Sequence, residues 1–118
     1  MKTFLAIFTC AENSKNHQAW MKLDSQAQKD SMQTGAAALE AWALKYQSQI
    51  VYEGSALGEL TKRTDINGVH DIPSQMGKFL VVKAASHEEA AKMFMDHPHF
   101  KYFPGDAVEV IECTNRTT

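Results

Sequence analysis

The stretch from Met76 to Cys113 restricts the possible folds more than any other part of the chain. It holds a glycine-led apolar strand (Gly77-Lys78-Phe79-Leu80-Val81-Val82-Lys83-Ala84), a helix starting at Ser86, a His97-Pro98-His99 stop and a further strand from Ala107 to Cys113. Ser86 and Glu89 have the spacing of a capping box, and Ala90, Ala91, Phe94 and Met95 supply an inner helical face. Proline cannot continue a helix, so Pro98 marks its end. The result is a β-α-β unit with a start and a stop signal at each element.

The N-terminal half repeats that order. An apolar strand from Met1 to Cys10 is followed by a helical region from Asn13 to Gln49 and a short strand, Ile50-Val51-Tyr52-Glu53, ended by Gly54. The helical region reads as two parts. Asn13 or Ser14 caps the first, with Trp20, Leu23 and Ala27 at three-to-four spacing; Met32, Ala36, Leu39, Ala43 and Tyr46 continue the pattern in the second, with the break placed at Thr34-Gly35. Turn residues dominate from Ser55 to Ser74, and Asn67-Gly68 suits a tight turn, so a hairpin or lid is expected there. The expected fold class is α+β: a β-α-β-β-α-β sandwich on an antiparallel sheet in strand order 4-1-3-2. The 118 residues fit one domain over residues 1–113, with 114–118 as a disordered tail.

Both faces of the central strands are apolar. Phe4, Ala6, Phe8 and Cys10 alternate with Leu5 and Ile7, and Leu80 and Val82 alternate with Phe79 and Val81. Helices can cover one of those faces, and a chain in this order has no third layer. The other face is therefore expected to pack against a second copy, making a homodimer through the sheet faces.

Composition excludes some partners. A net charge of −2 provides no basic footprint for nucleic acid. Met76 to Val81 is faintly similar to the aromatic third strand of an RNA-recognition motif, but Val81 stands where a second stacking aromatic is wanted. The apolar opening could be taken for a secretory signal. Polarity returns at Glu12-Asn13-Ser14, short of the roughly 15–30 residues a signal needs, so a buried strand is the better reading. No other apolar run approaches the ~20 residues of a membrane span, and a cytoplasmic location is expected. Cys10 and Cys113 lack metal-ligand spacing and read as unpaired, buried thiols near strand ends.

In this topology Cys10, His17, the Asp96-His97-Pro98-His99 segment and Gly105-Asp106 gather at one edge of the sheet, while Cys113 lies at the opposite end. Imidazole titrates near neutral pH and transfers protons, so His97 is the candidate catalytic residue, with Asp96 or His17 in support. His99 is placed on the rim as a ligand contact, and Trp20, Trp42 and Tyr52 are candidate pocket walls. Each has an alternative: a histidine at a helix C-terminus also serves as a cap, and the tryptophans also serve as core packing. His70 and His87 read as solvent-facing. No His-x-x-x-His pattern, phosphate loop, Gly-x-Ser-x-Gly elbow or dinucleotide fingerprint occurs, so no metal is assigned and the cofactor is unknown.

Four segments carry a resemblance to a known family: Gly54-Ser55-Ala56-Leu57-Gly58, the Gly77–Ala84 strand entering the Ser86-capped helix, the His97-Pro98 stop, and Gly105-Asp106-Ala107-Val108-Glu109-Val110. In order and spacing, residues 35–113 resemble the YCII-related family of dimeric ferredoxin-like proteins. The resemblance implies a dimeric α+β barrel with two sheets face to face. It also implies a cleft at the top edge where some members are proposed to use a His/Asp pair, the His on the first helix and the Asp just before the helix-ending proline. Here the residue before the proline is His97, Asp96 lies one position earlier, and His17 matches the helix-one histidine loosely; the DGPF tetrapeptide of a sister group is absent. Two functions follow as expectations. One is a small dimeric acid/base enzyme acting on a small organic molecule; the other is a non-catalytic small-ligand-binding or regulatory module.

Overall fold

The computed structural model describes residues 1–114, so residues 115–118 of the expected tail lie outside the described residues. The elements in chain order are β1 (Lys2–Thr9), α1 (Lys15–Met21), α2 (Ser25–Lys45), β2 (Ile50–Ala56), β3 (Leu60–Asp65), β4 (Gly68–Pro73), β5 (Met76–Ala84), α3 (His87–Lys92) and β6 (Ala107–Glu112). A 3₁₀ turn at Gln47–Gln49 leads into β2, and another at Pro98–Phe100 follows α3. The fold is α+β with an antiparallel sheet, compatible with a ferredoxin-like arrangement. Four strands lie in the order β2-β5-β1-β6, and β3 and β4 form a separate two-stranded sheet.

Register decides which residues meet under the helices. Phe4, Ala6 and Phe8 of β1 stand opposite Val82, Leu80 and Lys78 of β5, and opposite Glu112, Val110 and Val108 of β6. Residues directly opposite share a face, so these rows form the helix-covered side. Trp42 of α2, Ala90 of α3, and Met93 and Phe94 just beyond it complete the core; Phe4, Phe8 and Val82 are its largest fully buried side chains. Burying a side chain of this kind contributes roughly 1.5–3 kcal/mol. The opposite face carries Leu5, Ile7, Phe79 and Val81, all half-buried, with Ile111 and Tyr52 more exposed.

The β3–β4 hairpin explains the extended outline. The radius of gyration is 15.9 Å, against about 13.5 Å for a compact chain of this length. The hairpin turns at Ile66-Asn67, one position before the expected Asn67-Gly68; Gly68, at φ 126°, already pairs with Asp65, and the tip residue Ile66 is 99% exposed. Among the described residues no helix is long and apolar enough to cross a membrane.

The helices divide differently from the expectation. The break falls before Asp24, whose side chain caps α2 by accepting from the Ala27 N–H at 2.8 Å, and α2 runs unbroken through Thr34-Gly35. Gly35 is buried because it is a contact, not a stop: a Cβ there would come within 2.6 Å of the Phe103 ring and 2.7 Å of Tyr102. The packing stripe of α2 accordingly follows Gly35, Leu39, Trp42 and Tyr46, while Met32 and Ala36 face out, as do Leu23, Ala91 and Met95. Ser86 caps α3 by accepting from the Glu89 N–H at 3.1 Å. Both cysteines are free, and Cys113, expected to be buried, is exposed because β6 ends one residue earlier.

Candidate functional site

His97 lies at the centre of the helix-covered side. It is 3% exposed, with its ring 4.8 Å from Phe8 and 4.6 Å from Trp42, both edge-on. Trp42 is held in turn by its indole N–H, which donates to the Met93 carbonyl at 3.0 Å. Local backbone geometry fixes the His97 tautomer. The chain turns at Pro98 into a 3₁₀ helix, and the His99 N–H donates to His97 Nδ1 at 3.0 Å. A nitrogen that accepts carries no proton, so the proton of the neutral ring is on Nε2. Nε2 is buried and has no hydrogen-bond partner among the described residues. Burial first, then the neighbouring charges of Lys78 and His99, lower the His97 pKa to about 3. The imidazole is therefore neutral across the physiological range and presents an N–H donor.

Two adjoining cavities meet at this ring, of about 360 and 380 Å³. His97, Lys78, Leu39 and Ala56 line both. One lobe is mainly apolar, walled by Phe8, Cys10, Phe103 and Pro104 together with His99. The other runs along the β2 edge and is lined by Trp42, Glu40, Glu53, Gly54 and Ser55. Lys78 stands opposite Phe8 in the sheet, with its ammonium 5.6 Å from the Phe8 ring centroid. Burial lowers the Lys78 pKa, and the charge of Glu53 opposes that shift.

His99 is anchored on the β1 side. Its Nε2–H donates to the Thr9 carbonyl at 2.9 Å, and its ring packs on Gly105, where any Cβ would overlap it. Burial lowers its pKa, partly offset by the Thr9 carbonyl and by Asp106. Asp106 accepts from Thr9 Oγ1 at 2.7 Å and from the Ala11 N–H at 3.1 Å. Burial alone would raise the Asp106 pKa, but these hydrogen bonds outweigh it and hold the pKa below the ordinary value. Cys10 borders the apolar lobe with its pKa raised by burial and by Asp106, which keeps it a thiol.

The residues picked from the sequence divide into two groups. His97, His99 and Trp42 come together around the cavities. Asp96, His17, Trp20 and Tyr52 line neither. Asp96 is exposed and borders a separate hollow with Lys45, Lys101 and Tyr102, because consecutive residues at the helix end diverge. His17, half-buried on α1, lines a further hollow beyond Cys10 with Leu57 and Pro73. Trp20 is half-buried on α1, and Tyr52 is 57% exposed on the open sheet face, 5.9 Å from Phe79. Lys78 and Glu53 were missed. Lys78 had a legible signal: it is a lysine in phase with the buried Leu80, Val82 and Ala84. Among the described residues, no group of three or more His, Cys, Asp or Glu side chains could hold a metal ion.

An α+β protein with an antiparallel sheet and a neutral histidine beside a half-buried lysine is the class that fold and site define. No protein-family model matches the chain, and no curated protein matches it. A similar solved structure is 5-chloro-2-hydroxyhydroquinone dehydrochlorinase (TftG) from Burkholderia phenoliruptrix AC1100, in complex with 2,5-dihydroxybenzoquinone. The TM-score is 0.56 at 17% identity, covering 95% of this chain and 93% of that one. At that identity the likeness concerns the fold.

Proposed function

We propose that this protein is a small-molecule enzyme that binds an oxygenated organic compound in the apolar lobe and stabilises an oxyanion on it with His97 and Lys78. The observation that carries this reading is the orphaned, buried Nε2 of His97, whose residue lines both cavities together with Lys78. A neutral N–H donor and a cation already held in place stabilise developing negative charge without reorganising, which is the basis of oxyanion-hole catalysis. With Nδ1 committed to the His99 N–H and protonation suppressed, His97 acts as a hydrogen-bond donor and not as an imidazolium acid. Phe8, Phe103 and Pro104 offer flat apolar walls suited to a small ring.

The fold neighbour's activity on a hydroxylated ring makes the same chemistry a reasonable starting point for a probe. Titration with 2,5-dihydroxybenzoquinone, followed by calorimetry, is expected to give saturable binding that weakens at least tenfold in Lys78→Met and in His97→Phe. Equal affinity in both variants, or no binding to the wild type, removes the reading.

We also propose that the chain pairs with a second copy through the sheet face bearing Leu5, Ile7, Phe79 and Val81. Its support is that these apolar residues are left half-covered by their own chain.

A further inference from the structure

β2 does not keep register with β5, and the irregularity affects a residue of the site. Tyr52 pairs with Val81, and the next pairing is Ser55 with Phe79. Three steps on β2 thus oppose two on β5, which is a β-bulge. Gly54 supplies the conformation: its φ is 63°, and a Cβ there would overlap the Phe79 carbonyl oxygen. Tyr52 and Ser55, both paired with open-face residues of β5, bracket Glu53 and Gly54, where regular alternation would allow one residue. Glu53 follows the open-face Tyr52 by one position, so strand alternation turns it toward the covered side, where, though exposed, it lines the same cavity as Lys78 and His97. Bulges are over-represented next to active sites, and Gly54, where this one forms, lines the same cavity.

We propose that Glu53 is the proton acceptor of the site, taking a proton from a carbon next to a carbonyl whose oxygen is held by His97 and Lys78. This rests on the oxyanion reading above and extends it, because a neutral His97 that serves as donor leaves the site in need of a base elsewhere. Two carboxylates line this lobe, Glu53 and Glu40, and Glu53 is the one whose charge acts on Lys78. In the step, the Glu53 carboxylate bonds to the proton and the C–H pair becomes a C=C bond. The carbonyl π pair moves onto oxygen, and the enolate oxygen accepts hydrogen bonds from His97 Nε2–H and the Lys78 ammonium. The enolate then collapses back to a carbonyl, either by taking the proton at the γ-carbon, where a β,γ double bond of the substrate has conjugated the enolate, or by expelling a leaving group from the β-carbon. The first outcome is an isomerisation and the second an elimination; neither needs an oxidant or reductant. The substrate class is a small cyclic carbonyl compound with an acidic α-hydrogen.

The test pairs an exchange measurement with a binding measurement. Deuterium incorporation from solvent at the α-carbon of 2-hydroxycyclohexanone is followed by NMR with wild type and Glu53→Gln, and both proteins are titrated with 2,5-dihydroxybenzoquinone. Wild type is expected to accelerate exchange, and Glu53→Gln to lose at least a hundredfold of that acceleration while binding the quinone within about threefold of wild type. Quinone binding by wild type with no acceleration, or acceleration retained in Glu53→Gln, overturns the assignment of Glu53 and leaves the oxyanion reading standing. Failure of the quinone to bind wild type removes the reading on which the assignment rests. Glu53→Asp, which keeps a carboxylate one methylene shorter, is expected to recover part of the exchange.

Discussion

The backbone N–H of His99 donates to Nδ1 of His97 at 3.0 Å, which puts the proton of the neutral imidazole on Nε2, the nitrogen without a partner. A residue two positions along the chain therefore sets the chemical character of the site histidine. Proline makes this possible, because Pro98 at the start of the 3₁₀ turn brings the two residues into that geometry.

Acidification is expected to destabilise the fold. His97 has a folded pKa of about 3, below the roughly 6.5 of an unfolded chain. Between those values the unfolded state binds more protons, so stability is full above pH 6.5 and falls as pH drops toward 3. At pH 5 the loss from this one group is on the order of 2 kcal/mol relative to pH 7. Burial shifts His99 in the same direction and adds to it. Urea unfolding at the two pH values measures the loss; a flat profile contradicts the buried neutral imidazole.

Lys78→Met is expected to raise the His97 pKa, because the Lys78 charge is one of its depressants, second to burial. Imidazole carbon shifts followed by NMR through a pH titration report the change. No upward movement would place the ammonium farther from the ring than the shared cavities require.

Gly54→Ala is expected to cost at least about 2 kcal/mol, since a non-glycine residue at positive φ costs of order 1–3 kcal/mol before the overlap with Phe79 is counted. Denaturant unfolding measures it. The same substitution at Gly58, where a Cβ meets nothing, is expected to stay within about 0.5 kcal/mol and serves as the comparison.

Trp42→Phe removes the donor to the Met93 carbonyl, and an unpaired buried acceptor costs about 1–3 kcal/mol. The melting temperature is expected to fall. Because Trp42 also packs on the His97 ring, quinone affinity is expected to fall with it.

Val81→Lys puts a charge on the open sheet face with little effect on the chain's own core, where Val81 is half-buried. Sedimentation velocity is expected to give a dimer for wild type and a monomer for the variant, with the same circular dichroism spectrum. A wild type that stays monomeric at high concentration sinks the pairing proposal.

Much of the fold is written in local patterns. Ser14 and Ser86 accept hydrogen bonds at the starts of α1 and α3, and the Asn67-Gly68 signal falls within one position of the hairpin turn at Ile66-Asn67, because caps and tight turns depend on residues a few positions apart. The alternating apolar rows of β1 and β5 are equally legible, since side-chain direction in a strand has a period of two. Gly35 shows where such reading stops. Locally it is a helix breaker, but it sits inside α2 because Phe103 and Tyr102, nearly seventy positions away, pack against it.

The site divides along the same line. His97 and His99 stand out in the sequence because they bracket a proline, and their meeting with Trp42 is a matter of tertiary packing. Asp96, adjacent to His97 in the chain, is sent to another hollow, whereas Lys78 and Glu53 are brought in by strand pairing. Sequence alone determined the order of the sheet strands, the Ser14 and Ser86 caps and the two-sided greasiness of the central strands, because those follow from nearest neighbours and periodicity. Only the tertiary structure decided which charges face the buried imidazole, because register and bulges set distances between residues that the chain separates by dozens of positions.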